Sequence, residues 1–268
     1  MNHQLWDQYH GRVKSKKGAW RIGKQVISHG YDVMQDMVGK FSFMQVVVLN
    51  ATGRLPTPAL AQWFEACHVC LSWPDPRIWC NRIGALGGSA RVSTVAATCA
   101  GVMAADSRVY GIKPMIEGVQ MIQRAVQEIQ QGTSVEDFVM RQVEQKGGRP
   151  HLMGYARPIV KGDERIDVMR KTEQALGFSP GLHMQTALHI ERVLHERYDE
   201  SMNINGHISA FVADQGFSPE DAYRIFSVQV FSGVTACYVD AADREAGTFA
   251  PLQVTDVKYQ GKARRAVP

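Results

Sequence analysis

Met153-Gly-Tyr-Ala-Arg157-Pro-Ile-Val-Lys161-Gly-Asp163-Glu164-Arg165-Ile-Asp-Val-Met-Arg170 is the most informative stretch of the chain. Arg157, Lys161 and Arg165 fall within nine residues, around glycines at 154 and 162. Guanidinium groups grip carboxylates through paired donors, so three cations at a glycine-rich turn read as an anion site. Asp163 and Glu164 fit the first turn of a helix over 164–176, where the dipole favours acids. They are also the nearest carboxylates that could serve as a base. Gly177 ends that helix.

Other segments read as helices on either side. Thr57-Pro58 is a helix start, and Leu60, Trp63, Phe64, Cys67 and Leu71 follow at helical spacing. Trp73-Pro-Asp75-Pro76 stops that helix. Residues 84–105 carry small side chains and read as one helix buried on most sides, in a helical layer or at a subunit interface. Met115, Val119, Ile122, Val126 and Ile129 form an apolar stripe. Ser134 with Asp137 caps a helix over 135–145, broken by Gly147-Gly-Arg149-Pro150. The helix 182–198 turns Ala187, Ile190, Leu194 and Tyr198 inward. Its His183, His189 and His195 do not share a face, so they predict no metal site. Ser218-Pro219 opens a long apolar helix reaching about Ala242. Residues 1–30 read as an irregular arm, with Gly30-Tyr31-Asp32 turning into the first helix. Period-two alternation is confined to short pieces near 45–49 and 252–259.

Bulk properties exclude several classes. The chain has 268 residues and is 45% hydrophobic, enough for one large core or two lobes. Lys+Arg number 30 against 26 Asp+Glu, a mixed balance that does not argue for nucleic acid. No apolar run approaches the ~18 residues of a membrane span, and the N-terminus lacks the order of a signal peptide. The five cysteines predict reduced thiols in a cytoplasmic protein. Cys67-His-Val-Cys70 has redox or zinc spacing but lies inside a helical pattern without a second pair. There is no P-loop and no dinucleotide-binding glycine pattern.

The stretch at 153–170 resembles the citrate synthase segment M-G-F-G-H-R-V-Y-K-x-x-D-P-R-A-x-V-M-R. Gly30-Tyr-Asp32 followed by Thr52-Gly-Arg-Leu-Pro-Thr57 is similar to that family's R-G-Y-D and T-G-x-L-P-T. Ser89 to Tyr110 is similar to the helix leading into its H-G-G-A-N turn, and Asn203-Ile-Asn205-Gly-His207 to its N-V-D-x-x-S-G turn. The order of the pieces matches over nearly the whole chain. The short length, Lys161-Gly-Asp-Glu-Arg165 and the ending Pro251 to Gly261 look most like the citryl-CoA lyase branch.

The resemblance implies an all-α fold. It predicts a large lobe from 1–115 and 215–268, a small lobe from 116–214, a cleft between them, and a homodimer. It carries the enolate-stabilising histidine onto Tyr110, the keto-polarising histidine onto Arg157, and the general-base aspartate onto Asn205. A substrate-binding histidine falls near Asp75, the D-P-R arginine on Arg165, and a tail arginine on Arg264 or Arg265. An amide cannot act as a base. His207, two residues beyond Asn205, is therefore a candidate acid or base, or else a turn histidine bonded locally. Coenzyme A is expected along Gly147–Gly154, with Gly154, Arg149 and Lys161 as contacts; no metal is implied. The activity expected is formation or cleavage of a carbon–carbon bond next to a thioester or polycarboxylate, such as citryl-CoA to acetyl-CoA plus oxaloacetate. The alternative is an inactive relative that binds coenzyme A or polycarboxylates as a regulatory partner.

Overall fold

The computed structural model describes residues 3–11, 14–109, 111–157, 160–248 and 254–267. Its described elements are overwhelmingly helical and divide into two compact units. One comprises 1–71 with 106–229, the other 72–105 with 230–268. Residues 116–214 belong to the same unit as the N-terminal segments.

The first unit begins with a short helix α1 (Gln4–Tyr9). An antiparallel sheet follows, of β1 (Gly18–Arg21), β2 (Gln25–Ser28) and β3 (Tyr31–Asp32), paired in chain order. The region read as an irregular arm is therefore a three-stranded meander. His29 and Gly30, with φ of 51° and 87°, make the tight second turn that right-twisted strands prefer. The Asp32 side chain then accepts from the backbone N–H of Met34 and Gln35 and opens a π-helical turn, Val33–Met37.

Residues 45–49, which alternate like a strand, lie inside α2 (Phe43–Thr52). A reciprocal cap decides this: Ser42 Oγ accepts from Gln45 N, and Gln45 Oε1 accepts from Ser42 N. The other helices of this unit are α3 (Pro58–Leu71), α6 (Pro114–Gln130), α7 (Val135–Gln145), α8 (Glu164–Ala175), α9 (Leu182–Tyr198), α10 (Ile204–Asp214) and α11 (Pro219–Phe226). Thr57, Ser134 and Ser218 cap α3, α7 and α11 as their spacing predicts. The central member is α10, against which α6, α8 and α9 pack. Nine of its eleven residues are buried, so no polar stripe faces solvent. Trp63 of α3 stacks on Phe211 of α10 at a 3.9 Å centroid distance, and Phe64 meets Phe217 and Phe226 edge-on.

The second unit is built on α4 (Trp79–Ser89), α5 (Thr94–Ala105) and α12 (Phe231–Ala242). The single small-residue helix expected over 84–105 is thus two helices. Arg91, at φ 60°, turns the chain, and its guanidinium donates to the carbonyls of Ala242 and Arg244. The glycines serve close packing. A Cβ on Gly84 would lie 2.6 Å from Val234 O, and one on Gly87 would lie 2.6 Å from Ala97 Cβ. The far face of α5, with Val95, Ala96, Cys99, Ala100 and Met103, is exposed rather than buried.

The long apolar helix expected to reach Ala242 is interrupted at 227–230 and forms α11 and α12. Pro219–Ala242, against expectation, is long and apolar enough to cross a membrane by length and composition, with mean hydropathy 1.3 over an 18-residue window. Ala222, Ile225, Phe226, Val234 and Cys237 are buried, and 33% of that apolar window is buried in all.

Candidate functional site

Two distant segments meet in the first unit. Residues 154–156 run beside 201–203. Gly154 O accepts from Asn203 N at 3.0 Å, Ala156 N donates to Ser201 O at 2.9 Å, and Asn203 Nδ2 donates to Ala156 O at 2.8 Å. Gly154, at φ 89°, presses so closely on Gly206 that a Cβ would lie 2.6 Å from Gly206 Cα. Asn203 caps α10, its Oδ1 accepting from the backbone N–H of Asn205 and Gly206. The turn expected at 203–207 is therefore the first turn of a buried helix.

The seam delivers Arg157 to the N-terminal end of α8. Ala156 holds a left-handed φ of 69°, uncommon for a residue with a side chain. Arg157 Nη1 and Nη2 donate to the Glu164 carboxylate at 2.6 and 3.3 Å. That carboxylate raises the Arg157 pKa, and Arg157 in turn lowers that of Glu164. Arg165 Nε and Nη2 clasp the Asp163 carboxylate, both at 2.6 Å. Asp163 also accepts from its own helix at Arg165 N and from Ile204 N at 2.9 Å, tying α8 to the start of α10. Burial alone would push the Asp163 carboxyl up. The Arg165 fork and the two backbone donors outweigh it and hold that carboxyl below its ordinary value.

Asn205 follows Ile204 directly. Its Nδ2 donates to Pro114 O at 3.3 Å, and Ser209 Oγ donates to its Oδ1 at 3.4 Å. The segment 111–118, just after Tyr110, thus leads to Asn205; Tyr110 itself lies outside the described residues. His207 is not in an open turn. Its ring is fully buried, with Nε2 2.8 Å from Glu173 Oε1, which also accepts from Trp63 Nε1 at 2.9 Å. His207 Nδ1 has no partner among the described residues. His207 and Trp63 thereby tie α10 and α3 to α8 through Glu173.

Lys161 pairs with Asp199 at the surface, and Arg149 is exposed on its loop. Next to that loop is a cleft of about 200 Å³ lined by Glu117, Met121, Arg124, Lys146, Leu152 and Met153, among others. Its cations, Arg124 and Lys146, escaped the sequence reading; spacing on the polar face of α6 was the one available signal for Arg124. Asp75, Arg264 and Arg265 belong to the second unit. There Asp75 is forked by Arg77 and held at about 2, while both arginines are exposed. Cys67 and Cys70 are free thiols pushed up by burial, with Cys70 Sγ 3.7 Å from Met169 Sδ. Among the described residues, His183 pairs with Asp214 and His189 with Glu136, and no cluster of three or more His, Cys, Asp or Glu is placed to hold a metal.

The helical scaffold with this seam is the citrate-synthase-like fold. Citryl-CoA lyase from Hydrogenobacter thermophilus superposes with a TM-score of 0.81 at 24% identity, over 96% of this chain and 97% of that one. ATP citrate lyase from Methanothrix soehngenii, in complex with citrate and coenzyme A, gives 0.69 at 14% identity, over 97% of this chain and 46% of that one. Citrate synthase from Thermoplasma acidophilum, with carboxymethyl coenzyme A and oxaloacetate, gives 0.64 at 16% identity, over 85% and 59%. No protein-family model and no curated protein matches the chain by sequence.

Proposed function

We propose that this chain acts on polycarboxylates carried as coenzyme A thioesters, forming or cleaving the carbon–carbon bond as citryl-CoA lyases and citrate synthases do. The carrying observation is the Arg157/Arg165 pair at the seam beside Asn205, on a fold shared with proteins solved with citrate and coenzyme A. Arg157 offers a planar fork to a substrate carboxylate or to the oxyanion that develops as the bond rearranges. In the cleavage direction the C3 hydroxyl of citryl-CoA loses its proton. The bond to the thioester arm then breaks, its electron pair becomes the thioester enolate, and that enolate takes up a proton. The resemblance assigns Tyr110, a neutral donor, the part of stabilising that enolate. Arg124 and Lys146 join Arg149 as cations for the coenzyme's phosphates, beside the apolar Leu152 and Met153. The exposed apolar face of α5 supports a homodimer.

A second reading, a coenzyme A and polycarboxylate binding protein without turnover, is favoured by one observation. Asn205 stands where a base is needed, and its amide is engaged by Pro114 O and Ser209. One assay separates the readings. The chain is incubated with citryl-CoA while acetyl-CoA and oxaloacetate are followed, and separately with acetyl-CoA plus oxaloacetate while free thiol and citrate are followed. Thiol release in the second mixture or acetyl-CoA production in the first, lost in Arg157→Ala, establishes the enzyme. Silence in both with retained coenzyme A binding establishes the binding protein. Silence with no coenzyme A binding defeats both.

A further inference from the structure

We propose that the Glu164 carboxylate is a resident, displaceable occupant of the place on Arg157 that a substrate carboxylate takes; this rests on the polycarboxylate reading above. Both Arg157 terminal nitrogens are directed at Glu164, at 2.6 and 3.3 Å, which is the two-pronged geometry a bound carboxylate adopts. The cluster holds two guanidiniums and two carboxylates, so an incoming anion must exchange with one of the acids rather than add to them.

The two acids are not equivalent. Asp163 has a fully buried side chain, fixed by the Arg165 fork and by Ile204 N. Its departure would uncap α8 and break the tie to α10. The Glu164 side chain is 67% exposed and is held through Arg157. Arg157 is 20% exposed and starts from a backbone locked at Ala156 by Ser201 and Asn203. The cation therefore stays and Glu164 swings to solvent. The internal carboxylate sets a threshold on anion affinity and screens out weak monocarboxylates, which gain no more on Arg157 than Glu164 already supplies.

The test is calorimetric titration of citrate into the full chain at neutral pH and low salt, for wild type, Glu164→Gln, Glu164→Ala and Arg157→Ala. Helicity of each is checked by circular dichroism. Exposed ion pairs are weak, so both Glu164 variants should bind citrate about 1.4- to fivefold tighter, while Arg157→Ala loses binding. Citrate binding that needs Arg157 but is unchanged or weaker without Glu164 overturns this inference alone. Failure of every chain to bind citrate overturns the polycarboxylate reading and the inference together.

Discussion

His207 Nε2 lies 2.8 Å from Glu173 Oε1, deep in the first unit, and the same oxygen receives Trp63 Nε1. One carboxylate oxygen thereby joins three helices far apart in sequence. Removing either partner strands a buried polar group, whose desolvation costs ~1–3 kcal/mol. His207→Leu and Glu173→Leu should each lower the free energy of urea unfolding by about that amount. The double variant should cost clearly less than the sum. Additive losses in a double-mutant cycle would show that the contact carries no coupling.

Asp163 predicts a pH signature. Its folded-state pKa is depressed by Arg165 and the backbone donors against the opposing effect of burial. The stability it contributes is therefore present above the ordinary carboxylate value and is lost as pH falls through the depressed one. Asp163→Asn should be less stable than wild type by about 1.5–3 kcal/mol at neutral pH, the range for hydrogen bonds to charged groups. That gap should close below about pH 4, where the reference carboxyl begins to protonate. Denaturant titrations across acidic pH check this, and a constant gap would exclude the ion pair as its source.

Gly206 faces the Gly154 carbonyl with no room for a methyl group. Gly206→Ala should destabilise the fold by about 1–3 kcal/mol, the usual cost of overpacking. It should also weaken citrate binding by displacing Arg157. Thermal unfolding with parallel calorimetry reads both, and an unshifted melting temperature would show that the seam opens freely.

The far face of α5 presents Val95, Ala96, Cys99, Ala100 and Met103 without a charge among them. A second copy of the chain is the occupant proposed for it. Wild type should sediment as a dimer, and Val95→Glu with Met103→Glu as a monomer of unchanged helicity. A monomeric wild type at micromolar concentration would rule the dimer out.

Much of this was legible before any coordinates. The capping residues Thr57, Ser134, Asp163 and Ser218 act locally, so their helices start where the spacing says. The composition of 153–170 marked a charged turn, and Arg157 and Arg165 both come within reach of Asp163 there. Residues 18–32 were misread because their strands depend on positive φ at His29, a residue with no strong turn signature. Residues 84–105 were misread because small side chains fit one buried helix and two close-packed helices equally well.

Sequence alone determined the helical class, most helix starts and the charged turn, because these follow from hydrogen bonds and periodicities spanning a few residues. The tertiary structure alone decided that Glu164 occupies Arg157, that His207 answers Glu173, and that Asn205 donates to Pro114. Those partners lie seven, thirty-four and ninety-one positions apart. Their meeting depends on how helices pack around α10, which no local pattern encodes.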